Sequence, residues 1–132
     1  MTGAPPPAGG DDAARHRAAY RRGLSAEERA AAWLRLHGYR ILHQRYRTPG
    51  GEIDLVVRRG STVAFVEVKA RATLEAALEA VTARTRRRIE AAQRHWAAEE
   101  AGEEGLTFRF DIVAIVPGRP PCHLPNAYGE GE

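Results

Sequence analysis

The spacing of hydrophobic and polar residues changes several times along this chain, and each change predicts a new element. Alternation of apolar with polar residues is typical of strands, whereas apolar residues three or four positions apart are typical of amphipathic helices. Strand-like patterns occupy residues 39–47, 53–58, 62–69 and 106–116, with a short extended piece at 122–128. Helical patterns occupy residues 25–37 and 73–100. This order predicts an α/β fold with a mixed β-sheet flanked by helices.

The two helical segments carry their own boundary signals. Ser25 followed by Glu28 is a capping-box pattern, and Gly38 is expected to end the first helix. Its expected apolar side comprises Ala30, Ala31, Trp33, Leu34 and Leu36. In the second segment Thr82 is expected to break the helix or to cap it. An apolar stripe is formed there by Val81, Ile89, Ala92 and Trp96.

Residues 50–71 predict a hairpin on which the rest of the chain is organised. Residues 59–60 are expected to form its two-residue turn. That register places Asp54 diagonally from Glu67 on the same face, with Glu52 directly opposite Glu67. Charged side chains within apolar strands are costly to bury unless something binds them.

A divalent cation is the natural ligand for such a patch, because neighbouring carboxylates raise each other's pKa and a hard cation relieves the repulsion. Lys69 projects from the same face as Glu67 and is expected to orient a water or to neutralise a phosphate oxygen. Glu-x-Lys alone is more typical of a surface salt bridge. Asp54, inside the preceding apolar strand, shifts the interpretation toward catalysis.

The pattern Asp54…Glu67-x-Lys69 resembles the PD-(D/E)xK nuclease signature. The longer segments that contain these residues, GEIDLV and VAFVEVKAR, are similar to those of the YraN-like proteins. These form a bacterial family of proposed nucleases related in fold to archaeal Holliday-junction resolvases. The resemblance covers roughly residues 23–128 and implies a restriction-endonuclease-like core. It also suggests branched DNA as the substrate and a homodimer.

Under this interpretation the chain is a metal-dependent nuclease that hydrolyses phosphodiester bonds, in DNA by preference. Asp54 and Glu67 would hold Mg²⁺ or Mn²⁺, and the Val68 backbone carbonyl would complete the protein ligands. Lys69 would stabilise charge that develops on the phosphate. Two alternatives stay open: a nucleic-acid-binding module with little or no turnover, and a core hairpin whose charges pair among themselves.

Glu27 has two interpretations. A glutamate in the first turn of a helix is a favourable cap. The resemblance instead makes Glu27 a catalytic and metal-binding carboxylate, because the family's N-terminal helix carries an acidic site residue at this offset from Gly38. Ala26 departs from the family, which usually has Gly before this Glu. Glu52 is a weaker candidate for the same role.

Four arginines, Arg84, Arg86, Arg87 and Arg88, fall within about one and a half helical turns. They form either a solvated helix face or a surface that binds nucleic-acid phosphates. Two further polar residues are interpreted as structural: His43 as a surface or edge residue rather than a metal ligand, and Asp111 as a buried acid that caps the backbone or pairs with an arginine.

Composition places the chain among soluble globular proteins, since 43% of its 132 residues are hydrophobic and 28% are charged. The net charge of +3 slightly favours polyanionic partners. The single cysteine, Cys122, excludes an internal disulfide. Without an apolar run long enough to span a membrane, the expected location is the cytoplasm. One domain is expected at residues 23–128, with disordered ends at 1–22 and 129–132.

Overall fold

The computed structural model describes residues 25–127, so the predicted tails at 1–22 and 129–132 lie outside the described residues. Helix α1 covers residues 25–36. The other two helices are α2 (Leu74–Glu79) and α3 (Ala83–Glu99). The strands are β1 (Arg40–Thr48), β2 (Gly51–Arg59), β3 (Thr62–Ala70), β4 (Thr107–Ile115) and β5 (Cys122–Leu124). Within this part of the chain, no helix is both long and apolar enough to cross a membrane.

The five strands form one mixed sheet in sequential order, which confirms the predicted α/β fold class. Strands β1, β2 and β3 form an antiparallel meander, β3 pairs with β4 in parallel, and β4 pairs with β5 antiparallel. A parallel pair needs a long connection between its strands, and α2 and α3 supply it here.

Both faces of the sheet are covered, because the apolar residues of its strands fall into two clusters. On one face Leu34 of α1 packs with sheet residues that include Val57 and Val66. On the other face Ile89 and Trp96 of α3 pack with residues that include Phe65. The central strands are therefore buried on both sides, as their long apolar runs require.

The helix boundaries follow the predicted signals. Gly38 has φ 89°, its N–H bonds to the Arg35 carbonyl and the Tyr39 N–H bonds to the Leu34 carbonyl, which is a Schellman ending. Thr82 caps α3, with reciprocal side-chain and backbone hydrogen bonds to Thr85. The predicted division of the helical segment at Thr82 is confirmed.

Two expectations about the packing and the hairpin were wrong. The β2–β3 turn lies at residues 60–61, with Arg59 paired to Thr62, so the hairpin register is shifted by two residues from the predicted one. Gly60, with φ 63°, makes the turn possible there. Leu36 was expected on the apolar side of α1 but is 83% exposed, because it lies two positions after the buried Leu34, about 200° away around the helix.

Asp111 anchors β5 and the residues after it. It is fully buried in β4 and accepts hydrogen bonds from the Arg109 guanidinium, from the His123 ring and from the Asn126 backbone N–H. Arg109 also donates to the Tyr39 hydroxyl. The predicted pairing of Asp111 with an arginine is confirmed, and the network is structural because every group in it has a partner.

Candidate metal and nucleic-acid site

Residues from three elements meet in a cavity of about 810 Å³ at one end of the sheet. Helix α1 contributes Glu27, strand β2 contributes Asp54, and strand β3 contributes Glu67, Val68 and Lys69. All the residues predicted to catalyse or to bind metal therefore line one cavity. Ile115, at the end of β4, also lines the cavity.

Asp54 reaches the cavity because β2 leaves the sheet's regular pairing at this point. The β2–β3 ladder ends at Leu55 and Val66, and one step further in the same register would bring Asp54 opposite Glu67. Instead the Asp54 Oδ2 atom accepts a hydrogen bond of 2.7 Å from the Val68 backbone N–H. The Asp54 carboxylate thus takes the place of a backbone acceptor for the Val68 N–H. This hydrogen bond fixes the orientation of the Asp54 side chain.

Strand β1 is also distorted beside Asp54. Arg45, which the ladder would pair with Asp54, has φ 54°, a left-handed conformation that is uncommon for residues other than glycine. On either side of Asp54 the strand then contributes to different faces: Ile53 packs in the cluster with α3, and Leu55 packs in the cluster with α1. The local twist places Asp54 at the boundary between the two faces.

The surroundings of Asp54 disfavour its charged form. Burial raises its pKa most, the neighbouring charge of Glu67 raises it further, and the Val68 N–H bond opposes both, which leaves the pKa at about 7 against an ordinary 3.8. Glu27 adds a smaller rise and Lys69 a smaller decrease. A cation bound at Asp54 would stabilise the charged carboxylate and so oppose the effects of burial and of the Glu67 charge on its pKa.

Glu67 is 4% exposed, and its two oxygens have different environments. Oε2 lies 3.0 Å from Lys69 Nζ and 2.9 Å from Arg88 Nη2. Oε1 is buried and has no hydrogen-bond partner among the described residues. Because buried carboxylate oxygens in native proteins nearly always have a partner, Oε1 is the atom that a bound metal or water would satisfy.

Arg88 reaches Glu67 from α3 by passing over Gly51 at the start of β2. A Cβ atom at position 51 would lie 2.6 Å from Arg88 Cδ and 2.9 Å from Cγ, so only glycine leaves room for this side chain. The sequence pattern places Arg88 among the phosphate-binding candidates and does not indicate its contact with Glu67. The only signal was the Gly50-Gly51 pair, which reads equally well as a turn.

Glu27 lines the cavity but is already engaged. Its Oε1 atom lies 3.2 Å from Arg45 Nε. Burial is the largest cause of its raised pKa; Arg45 lowers that pKa, and the charges of Glu52 and Glu67 raise it. The structure therefore brings Glu27 and Glu52 within electrostatic reach of the other carboxylates.

The donor atoms fit a hard divalent cation that takes few ligands from the protein. Within residues 25–127, no three His, Cys, Asp or Glu side chains converge as a complete metal site. Asp54 and Glu67 with the Val68 carbonyl form a set of oxygen donors of the kind that Mg²⁺ accepts when waters and substrate phosphates fill its other positions. The unpartnered Oε1 atom of Glu67 supports this fit. His43 lies elsewhere, on edge strand β1, 4.0 Å from Glu100.

The four arginines do not form one surface. Arg84 and Arg87 are exposed and, with Arg88 and Gly50, line a shallow groove of about 320 Å³. Arg86 lines a different groove and pairs with Glu90 at 3.2 Å. Arg88 lines the shallow groove and also contacts Glu67, which lines the cavity.

Most of the chain is similar to known proteins. Residues 26–115 match the model of the uncharacterised protein family UPF0102. A UPF0102 protein of Methylorubrum extorquens is 55% identical over 123 residues, which cover 93% of this chain and 94% of that protein. One from Mesorhizobium japonicum is 54% identical over 110 residues (83% and 88%), and one from Caulobacter vibrioides is 52% identical over 112 residues (85% and 90%).

Proposed function

The chain belongs to the UPF0102 family, and we propose that it is a metal-dependent nuclease that hydrolyses phosphodiester bonds in DNA. Family membership confirms the predicted resemblance to the YraN-like proteins at the level of the family. One observation carries the proposal: Asp54 and Glu67 line the same cavity, and burial and the charge of Glu67 raise the pKa of Asp54 to about 7. Such an arrangement is costly for folding and useful for binding a cation.

Asp54, Glu67 and the Val68 carbonyl are the proposed ligands of Mg²⁺ or Mn²⁺. When bound, the ion supplies Lewis acidity, which makes a bound water more acidic and offsets charge on the phosphate oxygens. Glu27 stands beside this set as a further carboxylate whose contact with Arg45 limits it to a supporting role. Glu52 is further removed, since it acts on Glu27 through its charge alone.

Lys69 is the proposed catalytic residue that does not bind the metal. Its Nζ atom is 3.0 Å from Glu67 Oε2, so the ammonium is held at the cavity beside the ligands. In hydrolysis a water oxygen bonds to phosphorus, the P–O bond to the leaving group breaks, and the leaving oxygen takes a proton. The ammonium would stabilise the negative charge that grows on the phosphate during this exchange.

The proposed nucleic-acid contacts lie on α3. Arg84 and Arg87 line the shallow groove beside the Gly50 turn, and Arg88 joins this groove to the cavity. Arginines in such a groove contact phosphates and do not read bases, so the site would bind DNA by its backbone. Among the four arginines, Arg86 is the least suited to contact phosphates, because it pairs with Glu90. Branched DNA as the substrate and a homodimer as the oligomeric state are included in the proposal only because the family resemblance implies them.

A cleavage assay tests the proposal. Single-stranded, duplex, flap and four-way DNA are incubated with the protein in Mg²⁺, Mn²⁺ or EDTA, beside Asp54→Asn, Glu67→Gln and, as a control, the exposed Glu90→Gln. We expect metal-dependent cleavage of at least one substrate, lost in the first two variants and retained in the control. Cleavage that persists in Asp54→Asn, or that proceeds in EDTA, would contradict the proposal.

A nucleic-acid-binding module without turnover is the second candidate. The observation that favours it is that Lys69 and Arg88 both pair with the Oε2 atom of Glu67, so this carboxylate has positively charged partners without a metal. Under this alternative, DNA binds equally well to wild type and to Asp54→Asn, and no substrate is cut under any metal condition.

A further inference from the structure

We propose that Arg88 is a built-in counterion that competes with the metal for Glu67 and turns to the substrate phosphate when the metal displaces it. The inference rests on the proposed function, because it takes Glu67 to be a metal ligand. It assigns to Arg88 a role different from that of the other arginines of α3, and it links metal binding to nucleic-acid binding.

The contact between Arg88 and Glu67 is partly buried and charge-assisted. Arg88 Nη2 lies 2.9 Å from Oε2, and the side chains of Arg88 and Glu67 are only 29% and 5% exposed. Gly51 leaves the space through which the arginine passes. A long-range contact between α3 and β3 that needs glycine at a third position is a built feature of the fold rather than a chance surface pair.

The contact is nevertheless incomplete, which makes it suited to exchange. Only one guanidinium nitrogen of Arg88 bonds to Glu67, and the buried Arg88 Nε has no hydrogen-bond partner among the described residues. A divalent cation on the unpartnered Oε1 atom of Glu67 would place two positive charges on the carboxylate that Arg88 contacts through Oε2. The repulsion between the cation and the guanidinium would weaken the Arg88 hydrogen bond. Lys69, which shares Oε2, keeps a second positive charge at the site.

A displaced Arg88 has another place to go. The same residue lines the shallow groove with Arg84 and Arg87, so a rotation away from Glu67 leaves its guanidinium beside the proposed phosphate contacts. Metal binding would thus add one cation to the surface that holds DNA. The effect is a coupling of two binding events through one side chain, and such coupling acts in both directions.

Mn²⁺ affinity of purified variants tests the inference without reference to cleavage. Arg88→Ala removes the competitor, and because a charge-assisted hydrogen bond no longer has to be broken, we expect Mn²⁺ to bind roughly tenfold more tightly than to wild type. Arg87→Ala is the matched control, since Arg87 is adjacent on α3 and lines the same groove. Arg88→Lys keeps the positive charge and should stay close to wild type.

A second measurement on wild type guards against a folding defect in Arg88→Ala. The Nε–H resonance of Arg88, assigned by its absence in Arg88→Lys, should shift during a Mg²⁺ titration in step with saturation of the site. A resonance that does not move, or an Arg88→Ala affinity equal to or weaker than wild type, would overturn the counterion role while leaving the metal site intact. Absence of metal binding in wild type, Arg87→Ala and Arg88→Ala alike would instead overturn the proposed function.

Discussion

Asp54 and Asp111 are both withdrawn from water, yet their pKa values move in opposite directions. For Asp54 burial and the charge of Glu67 raise the pKa to about 7. For Asp111 burial also raises the pKa, but hydrogen bonds from His123, Arg109 and the Asn126 backbone outweigh it and leave the pKa lowered. Asp111 has several hydrogen-bond donors and holds the fold together, whereas Asp54 has one backbone donor and a carboxylate neighbour, an environment more typical of a functional site.

The raised pKa of Asp54 predicts how stability depends on pH. Because the folded pKa lies above the unfolded one, the folded state binds more protons between about pH 4 and pH 7, and the contribution of Asp54 to stability is present below pH 4 and is lost as the pH rises through 7. In EDTA, Asp54→Asn should therefore be more stable than wild type at pH 8, by about 1–3 kcal/mol.

Urea unfolding of both proteins at pH 5 and pH 8 measures this effect. Asp111→Asn is the control with the opposite sign, because it removes the charged partner of the partly buried Arg109 and should lose about 3–5 kcal/mol. Equal differences between wild type and Asp54→Asn at the two pH values would show that the carboxylate does not titrate as its surroundings indicate.

Substitution of Lys69 should lower the rate of catalysis without lowering the affinity for metal or DNA. Lys69→Ala removes an ammonium whose proposed role lies in the transition state, so kcat should decrease by about 10²–10³ while metal and DNA affinities change little. Single-turnover cleavage and Mn²⁺ titration of the same preparation measure the two quantities. Wild-type activity in Lys69→Ala would point to a contaminating nuclease or to another site.

At the scale of elements, the sequence predicted most helix and strand boundaries but not the register of the β2–β3 hairpin. Thr82 and Gly38 carry local signals, because caps depend on residues next to them in sequence. The hairpin register depends on which residues form the turn, and RRGS offers two places for it. A shift of two residues keeps every side chain on its face, so the hydrophobic pattern could not distinguish the registers.

The cap of α3 offers a test at this scale. Thr82→Ala removes the side-chain acceptor for the Thr85 N–H and should lower the free energy of unfolding by about 1 kcal/mol. Thr82→Ser keeps the hydroxyl and should retain most of the stability. Urea unfolding of the three proteins gives the comparison, and equal loss in the Ser and Ala variants would attribute the effect to the methyl group instead of the cap.

At the scale of the whole molecule, the site depends on contacts between distant segments. The motif residues Asp54, Glu67 and Lys69 were predicted together because a hairpin brings them close. Arg88 and Arg45 were missed because their contacts depend on the docking of α3 and on a left-handed residue in β1, neither of which has a local pattern. The sequence therefore predicted the proposed ligands and Lys69, but not the contacts of Arg88 with Glu67 and of Arg45 with Glu27.

The division of the arginines predicts unequal contributions to DNA binding. Each phosphate contact contributes about −0.9 to the slope of log affinity against log salt on duplex DNA. Replacing Arg84 and Arg87 by Ala should flatten that slope by about one to two units. Arg86→Ala is the control, since Arg86 pairs with Glu90 and lines another groove. An unchanged slope in the double variant would assign Arg84 and Arg87 to a solvated helix face, and a control that flattens the slope equally would show that Arg86 contacts phosphate as well.

The central claim is that Asp54 and Glu67 form a metal site, and a thermal unfolding experiment tests it most directly. At a Mg²⁺ or Mn²⁺ concentration about ten times the dissociation constant, binding to the folded state adds about 1.4 kcal/mol of stability. We expect the Tm of wild type to rise by roughly 4–8 °C and that of Asp54→Asn to stay unchanged. A wild-type Tm that does not respond to millimolar metal, or an equal rise in Asp54→Asn, would contradict the account.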